Sequence, residues 1–375
     1  MEPIEFIDLK AQRRRLGARL DAAILDVVDE GRFIQGPQVA ALERALEAFC
    51  GARHAITCGN GTDALGLTLM ALGLRPGDAV LVPAFTFAAT AEAVAWLGAT
   101  PVFVEIEVAT YTVDPGGLAA GLAAARMAGL RPRALIAVDL FGQPADYGRL
   151  EAFCADHDLA LICDAAQSLG AAYGERKVGA IGAVTTTSFF PSKPLGCYGD
   201  GGAIFTDDDE LAARLRSLHV HGRGADKYDN VRIGMNSRLD TIQAAILLEK
   251  LAVFPEEILL RQAAAERYAA GLSGAVTLPA LRTGSTSVWA QFTVRVAATR
   301  RETFMAGLRA RGIPTMVYYP TPLHRQTAYR GYPVAGNGLP LSDAVADEVV
   351  ALPMHPDLSP EMQDAIVAAV REELA

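Results

Sequence analysis

Two residues in this chain are typed and spaced for carbonyl–amine chemistry. Asp164 follows the apolar run Leu159-Ala160-Leu161-Ile162-Cys163 and opens Asp164-Ala165-Ala166-Gln167-Ser168. Lys193 comes about thirty residues later, in Ser188-Phe189-Phe190-Pro191-Ser192-Lys193-Pro194-Leu195-Gly196, ahead of Gly199-Asp200-Gly201-Gly202. A carboxylate at the end of a buried strand is costly without a cationic partner. A lysine beside two phenylalanines, with no charged neighbour until Asp200, is desolvated; its lowered pKa lets it act first as nucleophile and then as base. Singly, these are an N-cap acid and a surface lysine. Together they match what pyridoxal phosphate needs: an amine that holds the aldehyde as a Schiff base, and an acid that keeps the pyridine nitrogen protonated so that the ring absorbs electrons. Gln167 is placed to hydrogen-bond the phenolic oxygen, and Ser188 offers a hydroxyl to the phosphate.

Two further segments fit the same ligand. Cys58-Gly59-Asn60-Gly61-Thr62-Asp63-Ala64-Leu65 joins a strand to a helix. Its glycines allow close backbone approach to an anion, and the helix start offers free N–H groups and a favourable dipole. The spacing is not that of a Walker loop, which argues against a nucleotide triphosphatase; a glycine turn capped by Thr62 or Asp63 is the plain alternative. In Pro83-Ala84-Phe85-Thr86-Phe87-Ala88-Ala89-Thr90, Phe87 is the aromatic expected to stack on the pyridine, with core packing as its alternative. His219 and His221 lack a third ligand at metal spacing, so no metal is expected.

Positioning these residues requires alternating elements. Short apolar runs at 54–58, 79–82, 101–106, 134–138 and 159–163 predict strands, with helices near 62–73, 86–97, 115–126 and 146–156 between them. Two more strands are expected at 184–190 and 202–206. This alternation predicts an α/β domain, residues 1–250, with a mostly parallel sheet between helices. One helix is expected over 8–31, a second from about Val39 to Phe49, and another from Asp208 to about Leu218. Residues 219–235 are expected to be a loop, and a long helix follows from about Leu239 with a kink or break at Pro255. Residues 251–375 predict a smaller α+β domain: strand 288–296, helix 302–311, strand 315–319, an irregular stretch over 320–340, then two helices.

The bulk composition sets limits. The chain has 375 residues, is 51% hydrophobic and 21% charged, and carries a net charge of -9. The negative balance argues against a general nucleic-acid surface. No uncharged apolar run reaches ~18 residues, so no membrane span is expected. The segment Met1-Glu2-Pro3-Ile4-Glu5 lacks a basic region and a long apolar stretch, so no signal peptide is expected. The five cysteines, Cys50, Cys58, Cys154, Cys163 and Cys197, show no paired or zinc-like spacing, as in a reducing compartment. A cytoplasmic protein is expected.

Together the segments resemble the DegT/StrS family of sugar-nucleotide aminotransferases. The resemblance spans Phe6-Ile7-Asp8-Leu9, Gly36-Pro37, the Asn60–Leu65 and Asp164–Ser168 segments, Ser188 to Lys193, and Asn236-Ser237-Arg238-Leu239-Asp240. It implies a fold type I pyridoxal phosphate enzyme, a homodimer with shared active sites, and glutamate as amino donor. Gly61, Thr62, Asp63 and Ser188 would bind the cofactor phosphate, and Asn236 would reach it from the partner subunit. Lys193 separates the chain from the family's sugar dehydratases, which carry histidine there. The stretch from Ser188 to Ala203 is most similar to enzymes that aminate C3 of UDP-2-acetamido-2-deoxy-3-oxo-glucuronate for surface polysaccharide. In that group an arginine matching Arg238 and a His-Tyr pair meet the substrate carboxylate; here the pair is Tyr318-Tyr319. The missing histidine keeps the non-carboxylated parent sugar on the lipid A pathway open; a 4-keto nucleotide sugar and, in a different class, a non-catalytic sensor module are further alternatives. His324 and Arg325, just downstream, are candidates to supply the charge instead.

Overall fold

The computed structural model describes residues 3–226 and 228–375. Its centre is a seven-stranded sheet ordered β1-β9-β8-β5-β4-β2-β3. The strands are β1 (His54–Cys58), β2 (Asp78–Pro83), β3 (Thr100–Val104), β4 (Arg131–Val138), β5 (Ala160–Asp164), β8 (Val184–Ser188) and β9 (Gly202–Thr206), with a small hairpin of β6 (Ala172–Tyr173) and β7 (Arg176–Lys177) before β8. Only β9 runs antiparallel to its neighbours β1 and β8; the other pairings are parallel. Leu81, Val82, Phe103, Leu135, Ile136 and Ile162 are fully buried, each contributing roughly 1.5–3 kcal/mol. Strands buried on both faces need helices on both sides, which explains their continuous apolar runs.

The helices are α1 (Leu9–Leu16), α2 (Ala18–Glu30), α3 (Pro37–Cys50), α4 (Gly61–Ala71), α5 (Ala89–Trp96), α6 (Leu118–Met127), α7 (Tyr147–Asp156), α8 (Asp209–Leu218), α9 (Thr241–Leu272), α10 (Ala298–Ala310), α11 (Pro340–Glu348) and α12 (Pro360–Leu374). The helix expected over 8–31 is two, because Gly17 takes φ 57°, ψ -140° and breaks the ladder between α1 and α2. The expected break at Pro255 is absent. α9 runs unbroken through it, with Pro255 on the exposed side while Leu251, Phe254 and Glu257 are buried around it.

α9 also links two cores. Ala244, Leu247, Leu251 and Phe254 pack with α3 and the strand β9 residues Ala203 and Phe205. Ala264, Ala265, Tyr268 and Leu272 pack into a second core with Phe292, Phe304, Val350 and Ile366. That second core is built on the antiparallel pair β10 (Phe292–Arg295) and β11 (Val349–Leu352), covered by α10 and α12. The strand expected at 315–319 is reduced to one bridge, Met316 to Ala351, on the edge of β11 away from β10. Among the described residues no helix is long and apolar enough to cross a membrane. No group of three or more His, Cys, Asp or Glu there could hold a metal ion.

Candidate active site

Asp164 ends β5 and Ser188 ends β8, on adjacent parallel strands in which Asp164 pairs with Thr186. Ligands of open α/β sheets gather at such carboxyl ends. After Ser188 the chain folds into a tight turn. Phe189 is buried, Lys193 N–H donates to Phe190 O at 2.8 Å, and Cys197 N–H returns to Phe189 O at 2.8 Å. The turn carries half-buried Lys193 back toward the acid.

The two charges feel each other. Burial pushes the Lys193 ammonium below its usual range, and Asp164 pulls the other way. Burial pushes Asp164 up; the Ala166 N–H at 3.1 Å, Lys193 and the Thr90 hydroxyl at 3.4 Å hold it down. A buried carboxylate with such loose donors suits a cationic ring N–H as its partner. Thr90, named in the sequence only as part of a segment, thus joins the site; its contact crosses from α5 to β5 and no local spacing announces it.

Gln167 is fixed from behind. Its side-chain oxygen accepts the Phe141 N–H at 2.6 Å, and its amide nitrogen lies 3.4 Å from the Tyr319 hydroxyl. Phe141 presents that N–H from a left-handed turn, φ 62°.

The phosphate end is a cradle. Asn60, rather than Thr62 or Asp63, caps α4, accepting the Asp63 N–H at 2.7 Å. The Gly61 and Thr62 N–H groups of the first turn are left for an anion. A Cβ on Gly61 would sit 2.7 Å from Ser188 Cβ, and one on Gly202 would meet Asn60 O at 2.5 Å, so only glycine allows these backbones to approach. The Asp63 carboxylate accepts the Ser237 hydroxyl at 2.7 Å, and that hydroxyl in turn accepts the Gly59 N–H at 2.9 Å.

A cleft of about 550 Å³ adjoins this centre, lined by Thr86, Phe87, Tyr319, Thr321, Arg325 and Gln326 among others. Phe87 is 57% exposed, and its ring centroid is 6.0 Å from that of Tyr319. Tyr318 turns to Phe6 of the N-terminal segment at 6.2 Å. His324 is not among the cleft residues: its nearly buried ring pairs with Asp343 at 3.2 Å, and burial lowers its pKa. The charge in the cleft is its neighbour Arg325, gripped by the same Asp343. Arg238 lines a different cleft, of about 270 Å³, with Glu43, Arg216, His219 and Arg223. Asn236 is exposed beside it. One chain therefore does not bring Asn236 and Arg238 to its own Lys193.

An acid for a ring nitrogen, an amine within its field, a donor-lined cradle and an exposed ring over the cleft all fit pyridoxal phosphate. Fold and site define a fold type I pyridoxal phosphate-dependent transferase. The chain belongs to the DegT/DnrJ/EryC1/StrS aminotransferase family, whose model matches residues 15–371. It is 47% identical over 368 residues, 98% of this chain and 99% of the other, to UDP-2-acetamido-2-deoxy-3-oxo-D-glucuronate aminotransferase of Pseudomonas aeruginosa. It is 41% identical over 371 residues, 98% and 96% of the two chains, to dTDP-3-amino-3,4,6-trideoxy-alpha-D-glucose transaminase of Streptomyces venezuelae. A crystal structure of a family aminotransferase from Brucella abortus superposes with a TM-score of 0.97 at 51% identity, covering 99% of this chain and all of that one.

Proposed function

We propose that this enzyme moves an amino group from glutamate to C3 of UDP-2-acetamido-2-deoxy-3-oxo-glucuronate, for diamino-sugar and surface-polysaccharide synthesis. The carrying observation is the junction of the Asp164–Lys193 pair with a cleft whose charged lining residue is the cation Arg325. A cation there suits a substrate that bears a diphosphate and a carboxylate. Both relatives named above have C3 as the carbon of the keto or amino group, which favours C3 over C4.

Bound pyridoxal phosphate supplies an electron sink that stabilises a carbanion next to nitrogen. The chain supplies the rest. Asp164 would hold the ring-nitrogen proton, Gln167 the phenolic oxygen, and Gly61, Thr62 and Ser188 the phosphate. Phe87 would cover the ring face. Lys193 Nζ, whose neutral form burial favours, would take the proton from the donor's α-carbon and return one to C3 in the second half of the exchange. Glutamate leaves as its 2-oxo acid, and the sugar ketone becomes an amine.

The reading includes a homodimer in which Asn236 and Arg238 complete the partner's site. Exposed Phe33, Ile34, Phe190, Val231 and Ile233 support it, since large apolar side chains left in water suit burial against a second copy. A division into residues 1–250 and 251–375 places the seven-stranded sheet in the first part and the second core mainly in the rest, although α9 crosses the boundary unbroken. Five free, buried cysteines suit a reducing cytoplasm.

The test is mass spectrometry of the cofactor-loaded enzyme with glutamate and either the 3-oxo-uronate or its non-carboxylated parent sugar. The proposal expects amination of the uronate. Amination of the parent sugar alone would overturn it.

A further inference from the structure

Lys250 is a fully buried lysine outside the site. It lies on α9, is 1% exposed, and donates to the Gly196 carbonyl oxygen at 2.6 Å. Its ammonium also sits 4.3 Å from the centre of the Tyr198 ring. Both contacts fall on the turn that carries Lys193. A residue two turns earlier on the same helix, Gln243, accepts the Tyr198 N–H at 2.8 Å. The turn is closed tightly on itself, since a Cβ on Gly196 would lie 2.6 Å from both Phe190 O and Pro191 O.

The choice of lysine needs a reason. Burial pushes its amine down to about 8, with Glu257 and Cys197 pulling it back up. Methionine has similar length and would fill this space without desolvating a charge, and replacing buried charges by apolar side chains is often neutral for stability. What methionine lacks is the grip on the Gly196 carbonyl. We propose that Lys250 is a positioning residue for catalysis: with Gln243 it fixes the exit of the 189–199 turn, so that Lys193 Nζ is held at the distance from Asp164 that the proton transfers require. This rests on Lys193 being the residue that carries the cofactor, which Lys193→Ala tests separately.

The experiment compares Lys250→Met, Gln243→Leu and the double variant as holoenzymes. Lys177→Met is the control: Lys177 makes the same kind of clasp, to Phe49 O at 3.0 Å and the Phe49 ring at 5.0 Å, away from the turn. For Lys250→Met the expected result is a kcat lower by roughly tenfold, as for a lost hydrogen bond from a charged donor. The sugar KM should stay within about twofold, and bound pyridoxal phosphate should dissociate faster on dilution. The melting midpoint should move no more than in Lys177→Met, which keeps full kcat. The double variant should lose less than the product of the two single losses, because both residues hold one turn. Should Lys250→Met fail to fold, Gln243→Leu must still lower kcat and speed cofactor release. Unchanged kcat and cofactor retention in the folded variants, or equal losses in Lys177→Met, would overturn the proposal.

Discussion

Replacing Asp139 by asparagine tests the polar layer behind the site. Asp139 follows β4, is fully buried, and its backbone N–H bonds Asp164 O at 3.0 Å. Its carboxyl accepts from Ala145 N at 2.8 Å, Tyr147 Oη at 2.7 Å and Ser168 Oγ at 2.7 Å. Burial nevertheless pushes it up to about 7. The Tyr147 hydroxyl has one proton but also lies 2.6 Å from Cys163 Sγ, so a neutral carboxyl that donates to a neighbour satisfies more of this cluster than a charged one. An acid whose folded pKa is raised adds stability that is full below its unfolded value and is lost as pH climbs through the folded one. Here that window runs from about pH 4 to about pH 7. Between about pH 5 and 7.5 the loss is about 2.5 kcal/mol, or ~3 °C in melting midpoint for a chain of this length. Thermal unfolding of wild-type and Asp139→Asn holoenzyme across that range should show the wild-type midpoint falling by ~3 °C more than the variant's. Parallel curves would refute a neutral, pH-sensitive Asp139.

Three further outcomes are expected. Gly61→Ala places a methyl group 2.7 Å from Ser188 Cβ and should weaken pyridoxal phosphate binding by roughly tenfold or more, measured by titrating apoprotein. Mixing inactive Lys193→Ala with an inactive Asn236→Ala, Arg238→Ala double variant should restore about a quarter of wild-type activity, since half of the re-assorted dimers carry one intact site; no recovery would place those residues in their own chain's site. Arg325→Gln should lower kcat/KM for the nucleotide sugar by roughly tenfold while the half-reaction with glutamate is unchanged, as stopped-flow absorbance would show.

Much of the layout of the candidate site is legible in the sequence because it is local. Asp164, Gln167, Ser188 and Lys193 each sit at the end of a strand or in the turn after it, where chain position sets chain geometry. The β–α alternation of the large sheet was legible for the same reason: its strands are short apolar runs separated by helical periods. What escaped depends on contacts distant in sequence. Thr90 meets Asp164 across 74 residues, and Phe141 fixes Gln167 through a left-handed turn that no propensity foretells for phenylalanine. His324 and Arg325 are adjacent in sequence and both pair with Asp343, yet only the guanidinium lines the cleft. β11 was read as part of helical sequence because four buried apolar residues suit either period. Pro255 does not break α9, because packing on both of its flanks outweighs one missing hydrogen bond.

The central claim is that Lys193, facing Asp164, is the residue that carries the cofactor. Borohydride reduction of the holoenzyme followed by peptide mapping tests it directly. The account predicts the pyridoxyl phosphate mass on the peptide that contains Lys193 and on no other. Its appearance on another lysine, or its persistence in Lys193→Ala, would contradict the account.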